Sequence, residues 1–180
     1  MRGAALSRVL AAAVLWGCSA IAHAQVATES AIKAAYLFKF AGYVEWPETA
    51  FASSAAPIVI AVAGSEEVAA ELERLLPGRT IDGRKGVVRR VKEGESLQGV
   101  HLAFVGRRVE NAKQQVRAAQ QAGALTVTDA GLESGAAINF VTADERVAFE
   151  VSLEGAERSG HRISSRMLAV AKRVVAKGAS

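Results

Sequence analysis

The chain has 180 residues, with 22 Lys or Arg, 18 Asp or Glu, three His and one Cys, and 51% of its residues are apolar. The small positive charge does not predict a nucleic-acid-binding protein, and one cysteine cannot form a disulfide within the chain.

Residues 1–24 have the pattern of a cleaved export signal. Arg2 and Arg8 supply positive charge, residues 9–16 are apolar, and Ala22-His23-Ala24 has the small-residue pattern of a cleavage site. The apolar run is far shorter than the ~20 residues of a membrane-spanning helix. Cleavage after Ala24 would leave residues 25–180, a length that predicts a single domain.

A second interpretation of the leader is a lipoprotein signal. Leu15-Trp16-Gly17-Cys18 resembles a bacterial lipobox, in which cleavage before Cys18 would leave a lipidated cysteine. Trp16 fits that pattern poorly, so cleavage after Ala24 is the favoured prediction. Cys18 is the only cysteine, and either product enters its compartment without disulfides.

The first predicted element of the folded domain is a helix over residues 29–46, which begins beside Thr28 and is ended by Pro47. Apolar residues occupy most of its circumference, which is typical of a helix buried in a core. Part of it could instead form a partner surface, because large aromatic residues often anchor interfaces. The partner-binding candidates are Tyr36, Phe40, Tyr43 and Trp46.

The middle of the chain alternates strand and helix patterns, which predicts an α/β domain with a mostly parallel sheet flanked by helices. Apolar runs predict strands, and the segments between Gly- or Pro-containing turns predict helices. The predicted strands are 58–63, 87–91, 100–105 and 125–128, and the predicted helices are 67–76 and 108–121.

The chain ends with a predicted antiparallel hairpin and a closing amphipathic helix. Strands over 137–141 and 146–153 flank a turn at 142–145, and we expect the hairpin at one edge of the sheet. Ser164 and Ser165 are candidate N-caps of the helix, whose predicted buried stripe includes Met167, Leu168, Ala171, Val174 and Val175. Asn139, if buried, must be hydrogen-bonded, and we expect it to hold the hairpin against this helix.

Catalytic and metal-binding patterns are weak, so we expect a binding or regulatory protein rather than an enzyme, without a cofactor. After residue 24 only His101 and His161 remain, with no cysteine, which is too few ligands for a zinc site. His101 lies in a strand pattern, which favours a structural role, and His161 lies in a loop, where we expect it to face solvent. No serine lies in a G-x-S-x-G sequence, and no dinucleotide or nucleoside triphosphate motif is present.

A small-molecule crevice is the alternative site. Ser65, Arg107, Arg108 and Asp129 each follow a predicted strand, and ligands of open parallel sheets bind at the carboxyl ends of the strands. Helix N-terminal amides and two arginines there could hold a carboxylate or phosphate. In the alternative interpretation no ligand binds here: the arginines are solvated, and the glycines beside them only form tight turns.

Two stretches resemble the YfiR-like family of periplasmic proteins. The first is Ala31-Ile32-Lys33-Ala34-Ala35-Tyr36-Leu37-Phe38-Lys39-Phe40-Ala41-Gly42-Tyr43-Val44-Glu45-Trp46-Pro47. The second comprises residues 137–141, 147–151 and 162–168, in the order of the family's closing motif. With the pattern between them, the resemblance covers nearly all of residues 25–180.

The resemblance implies a periplasmic α/β protein that represses an inner-membrane diguanylate cyclase by binding its periplasmic sensor domain. Cyclic di-GMP, and with it biofilm behaviour, would be the output. An outer-membrane lipoprotein or redox stress would control release, and members tend to form homodimers. Some members carry disulfide cysteines linked to redox sensing, and their absence after residue 24 puts thiol-based control in doubt here.

Two functional hypotheses follow. The first is a periplasmic regulator of a membrane-bound cyclase, which works by protein contact. The second is a periplasmic protein that binds a small anionic ligand in the crevice. The two can coexist, since a ligand could bias the regulatory contact.

Overall fold

The computed structural model describes residues 28–176. The predicted leader, with both cleavage positions, lies outside these residues. In chain order the helices and strands are α1 (Glu29–Gly42), β1 (Val44–Glu45), β2 (Ile58–Ala63), α2 (Glu66–Leu75), β3 (Thr80–Ile81), β4 (Arg84–Arg90), β5 (Leu102–Val105), α3 (Ala112–Gln121), β6 (Leu125–Thr128), β7 (Ile138–Ala143), β8 (Arg146–Ser152), α4 (Leu153–Glu157), β9 (Arg162–Ile163), α5 (Ser165–Val170) and β10 (Arg173–Val175).

Eight of these strands form one sheet in the order β10-β8-β7-β6-β5-β2-β4-β3. Strand β10 is parallel to β8, and the five neighbouring strands β7, β6, β5, β2 and β4 are parallel to one another. The pairs β7–β8 and β3–β4 are antiparallel hairpins. The predicted α/β class with a mostly parallel sheet is confirmed. Parallel pairing brings the carboxyl ends of β2, β5 and β6 to the same edge, which positions the loops after them.

Helices cover both faces of the sheet. The larger core lies between one face and α1 and α2, and it includes Leu37, Phe40, Ile60, Phe104 and Phe149. Helix α3 covers the opposite face, where small residues such as Ala61, Ala103 and Ala119 allow close approach. Burial on both faces explains why β2 and β5 are continuous apolar runs, and β6 is equally buried although two of its residues are threonines.

Helix α1 begins as predicted but ends four residues earlier. The Thr28 side chain accepts a hydrogen bond from the N–H of Ala31, and the helix ends at Gly42. Val44 and Glu45 then pair antiparallel with Ile163 and Arg162 as a separate two-stranded sheet. The prediction of helix up to Trp46 was wrong, because this pairing extends the backbone before Pro47 is reached.

The end of the chain is the largest departure from prediction. Helix α5 stops at Val170, and residues 173–175 form β10, parallel to β8. Met167 is buried as predicted, but Val174 is 40% exposed, so the predicted buried stripe does not include it. The hairpin β7–β8 is consequently not the edge of the sheet, since β10 lies outside it.

Two smaller differences concern helix and strand limits. Helix α3 begins at Ala112, four residues later than predicted, so Arg107 and Arg108 lie in a turn. Strand β4 begins at Arg84 and is preceded by β3, which the prediction missed. Asp82 and Gly83 form the tight turn between β3 and β4, both with positive φ.

Candidate functional site

The four predicted crevice residues line one depression. Ser65 follows β2, Arg107 and Arg108 follow β5, and Asp129 follows β6. They share a cavity of about 380 Å³, together with Lys33 and Glu29 of α1. The strand order therefore brings together residues that are far apart in the sequence.

A network of ion pairs fills one side of the crevice. Lys33 Nζ lies 2.6 Å from Asp129 Oδ2 and 2.6 Å from Glu29 Oε1. The Arg107 backbone N–H donates to Asp129 Oδ1 at 2.6 Å, and Arg107 Nη2 lies 3.0 Å from Glu29 Oε1. The hydrogen bond from Lys33 lowers the pKa of Glu29. The side chains of Lys33 and Asp129 are only 6% and 9% exposed, and their ion pair joins α1 to the end of β6, while Arg107 joins the network from the end of β5.

The other side of the crevice is also paired. The Ser65 hydroxyl accepts from the N–H of Val68 and so caps α2, and it donates to Glu67. Arg108 Nη1 lies 3.4 Å from Glu67 Oε1. A hydrogen bond from its own backbone N–H lowers the pKa of Glu67, and the charge of Arg108 adds to the effect.

The crevice is consequently balanced in charge rather than cationic. Lys33, Arg107 and Arg108 face Glu29, Glu67 and Asp129. The N-termini of α1 and α2 both border the cavity, and their first turns carry Glu29 and the pair Glu66 and Glu67, respectively. An anion entering here would have to displace a carboxylate from its cation.

Sequence reasoning missed the three partners of this network, Glu29, Lys33 and Glu67. The spacing of Glu29 and Lys33 by four residues predicts only a helical ion pair. Their proximity to Asp129 depends on where α1 packs, which no local pattern encodes.

The four aromatic candidates for partner binding have different environments. Tyr36 and Phe40 stack at 5.6 Å between ring centroids, and Phe40 also lies 4.9 Å from Phe149. Phe40 is only 2% exposed, so in this conformation it fills the core. The Trp46 indole N–H donates to the carbonyl of Ala41 at 2.9 Å, and that side chain is half-buried. Tyr43 is 43% exposed, which leaves it as the candidate that presents a large side chain to a partner.

The rings of both histidines pack against Trp46. His101 Nδ1 accepts from the N–H of Val59, and Nε2 therefore carries the proton and donates to the carbonyl of Ala50. These bonds give His101 a structural role, as expected from its strand pattern.

The expectation that His161 faces solvent was wrong. Its side chain is 3% exposed, with Nδ1 3.0 Å from Ser159 Oγ and its ring 5.0 Å from that of Trp46. Burial lowers the pKa of His161 to about 4, with a smaller contribution from the charge of His101. The turn after α4 folds inward here, because the His161 N–H donates to the carbonyl of Ala156.

The predicted structural residues have three different roles. Asn139 is buried and hydrogen-bonded, but its Oδ1 accepts from the N–H of Gly131, so it holds the loop after β6 rather than the last helix. Ser164 is the N-cap of α5 and accepts from the N–H of Met167. Ser165 is the exposed first residue of that helix and does not cap it.

Two further kinds of feature are absent from residues 28–176. That stretch contains no cluster of three His, Cys, Asp or Glu side chains placed to hold a metal ion. None of its helices has both the length and the apolar character needed to cross a membrane.

Comparison with known proteins identifies the family. The model of the YfiR/HmsC-like family matches residues 30–172, which span α1 to the turn before β10. No curated protein matches the chain significantly. At the family level these proteins regulate diguanylate cyclase signalling and are regulatory rather than catalytic. Because the match covers most of the chain, this protein belongs to the YfiR/HmsC-like family.

Proposed function

We propose that this protein binds the periplasmic sensor region of an inner-membrane diguanylate cyclase and represses the enzyme, which lowers cyclic di-GMP. The observation that carries the proposal is the family match over residues 30–172. The family's role in diguanylate cyclase signalling supports cyclic di-GMP as the output. The leader pattern in residues 1–24 supports the periplasm as the compartment.

The described surface is compatible with action by contact. A stable complex typically buries about 1,200–2,000 Å² in total, with aromatic anchors near its centre. Tyr43 offers such an anchor at the junction of α1 and β1. Its backbone carbonyl accepts from the N–H of Ser164, so the start of α5 would lie beside the partner.

Compartment and assembly are parts of the same proposal. Export with cleavage after Ala24 is favoured over lipidation at Cys18 by the leader pattern alone. A homodimer, and release by an outer-membrane lipoprotein, follow from the family resemblance.

The test is the level of cyclic di-GMP in cells that lack this protein. We expect the level to rise on deletion. It should return to normal when the full chain is supplied, but not when a form without residues 1–24 is supplied. An unchanged level on deletion would contradict repression, and rescue by the form without the leader would contradict action from the periplasm.

Binding of a small anionic ligand is the second candidate, supported by the cavity that Ser65, Arg107, Arg108 and Asp129 share. The existing ion pairs weaken it, since no cation of the crevice is available without breaking a pair. Protein contact is therefore the function that the observations favour.

A further inference from the structure

Charge is distributed unevenly along the chain. Residues 158–180 contain six Lys or Arg and no Asp or Glu, whereas residues 25–157 contain 14 Lys or Arg and 18 Asp or Glu. The small overall charge therefore conceals a cationic C-terminal segment on an acidic domain. An asymmetry of this kind often marks a docking site for an anionic surface.

The structure places much of this charge on one short, exposed stretch. The side chains of Arg162, Arg166 and Lys172 are solvent-exposed. Within residues 28–176 no carboxylate lies within ion-pair distance of these three, whereas Arg173 is paired with Glu150 at 2.9 Å. Helix α5, which carries Arg166, is about 9 Å long at 1.5 Å per residue, and Arg162 and Lys172 lie within three residues of its two ends.

Apolar surface is exposed beside these charges. Val170 is 71% exposed, and it follows Arg166 by four residues, so both lie on the outer side of α5. Met167 of the same helix is buried in the core, which fixes this orientation. Val174 on the edge strand β10 is also exposed, by 40%.

We infer that the segment from β9 to β10 is a docking surface for an anionic phospholipid membrane. Exposed aliphatic residues between unpaired cations are the pattern of segments that lie on such membranes. The cations lie at the lipid headgroups, and Val170 contacts the boundary of the acyl chains. The acidic remainder of the domain is repelled by the lipid, so the molecule binds with this side toward the membrane.

The exposed apolar residues favour a lipid over an acidic protein as the anionic surface. Either would attract the three cations, but a flat bilayer gains from the small, isolated apolar contact that Val170 and Val174 provide. A second copy of this surface is disfavoured, because like charges would face each other.

The test is binding of the purified protein to vesicles of phosphatidylglycerol and phosphatidylethanolamine, with phosphatidylcholine vesicles as the neutral comparison. Each cation near an anionic membrane is worth about a fivefold change in affinity. We therefore expect Arg166→Gln with Lys172→Gln to weaken binding about 30-fold. Neither side chain makes a hydrogen bond within residues 28–176, so the fold should persist, and circular dichroism checks this.

The matched control is Lys113→Gln with Arg117→Gln on α3. It removes the same two residue types from an exposed surface elsewhere, and we expect binding to persist. All variants carry the same N-terminus, so any contribution of residues 1–24 cancels. Raising the salt from about 0.1 M to about 1 M shortens the Debye length from about 10 Å to about 3 Å and should release the protein.

Three outcomes would overturn the inference. They are equal binding to both kinds of vesicle, equal losses in the two double variants, and no binding to the anionic vesicles. If the anionic vesicles do not bind but Arg166→Gln with Lys172→Gln still raises cyclic di-GMP in cells, the surface contacts an acidic protein instead. The deletion experiment on cyclic di-GMP tests the proposed function independently of these results.

Discussion

At the scale of single residues, His161 couples the protonation of a side chain to the stability of the fold. Its ring is buried against Trp46, and burial lowers its pKa from 6.5 to about 4. The unfolded chain binds a proton near pH 6.5, whereas the folded protein does so only near pH 4. The neutral histidine therefore contributes stability that is fully present above pH 6.5 and is lost as the pH falls toward 4.

We predict that the free energy of unfolding decreases between pH 7 and pH 4.5, and that His161→Asn reduces this decrease. The pKa difference corresponds to at most about 3 kcal/mol, since one pKa unit is worth about 1.36 kcal/mol. Asparagine retains a polar atom near Ser159 but does not titrate. Urea unfolding of both proteins at the two pH values, followed by the fluorescence of Trp46, measures the difference.

Comparing the native protein with His161→Asn isolates the contribution of His161 to the pH dependence of stability. Carboxylates with lowered pKa values, such as Glu29 and Glu67, also lose their contribution at acidic pH, but they do so in both proteins. An identical pH dependence in the variant would show that His161 does not titrate as its burial implies.

At the scale of helices and strands, local pattern predicted the centre of the sheet well. Strands β2 and β5 are apolar runs and β6 is a short run of β-branched residues and Leu, all bounded by turn residues, and their burial between helices leaves few alternative conformations. The hairpin β7–β8 was also predictable, because its turn at Asp144 and Glu145 separates two strand patterns. The turn at Asp82 and Gly83 carried an equally clear signal that predicts the hairpin β3–β4.

The elements that were mispredicted depend on distant partners. Residues 171–175 have apolar positions that suit a helix, but the backbone N–H of Lys172 donates to the carbonyl of Phe149, and β10 then pairs with β8. Strands β1 and β9 are two residues each, too short for any periodic signal. The same limit applies to the crevice, where the predicted residues came together but their carboxylate partners on α1 and α2 were not foreseen.

Helix α4 packs directly on the backbone before β7, which leads to a prediction at this scale. A Cβ on Gly155 would lie 2.5 Å from the carbonyl oxygen of Ala136 and 2.9 Å from the Cα of Ala137. We expect Gly155→Ala to destabilise the protein by about 1–3 kcal/mol, because the backbone must move apart. The shift of the urea midpoint measures the cost.

Gly42→Ala is the matched control for that substitution. Its Cβ would meet only Ile81 Cγ2 at 3.7 Å, an ordinary contact, and the residue lies in α1. Alanine in a helix is favoured over glycine by about 0.5–1 kcal/mol, so stability should hold or increase. A Gly155→Ala protein as stable as the Gly42→Ala protein would contradict the close packing of α4.

At the scale of the whole molecule, the first helix serves both the core and the surface, and substitutions in it must be interpreted accordingly. Phe40 packs against Tyr36 and Phe149, and removal of a buried phenylalanine side chain costs about 3–5 kcal/mol. Domains are stable by only about 5–15 kcal/mol, so Phe40→Ala should lower the amount of folded protein in the cell. A regulatory defect in that variant would not identify an interface.

Tyr43 offers the separate test of contact. Its side chain is 43% exposed, so Tyr43→Ala should leave the amount and the urea midpoint of the protein almost unchanged. If Tyr43 anchors the cyclase, cyclic di-GMP rises toward the level of the deletion strain even though the protein is present. Val87→Ala is the control, since Val87 is 45% exposed on β4 and belongs to neither α1, β1 nor α5, and its loss should leave cyclic di-GMP unchanged. Immunoblots and nucleotide measurements on the same cultures distinguish a lost contact from lost protein, and equal effects of the two substitutions would remove Tyr43 from the interface.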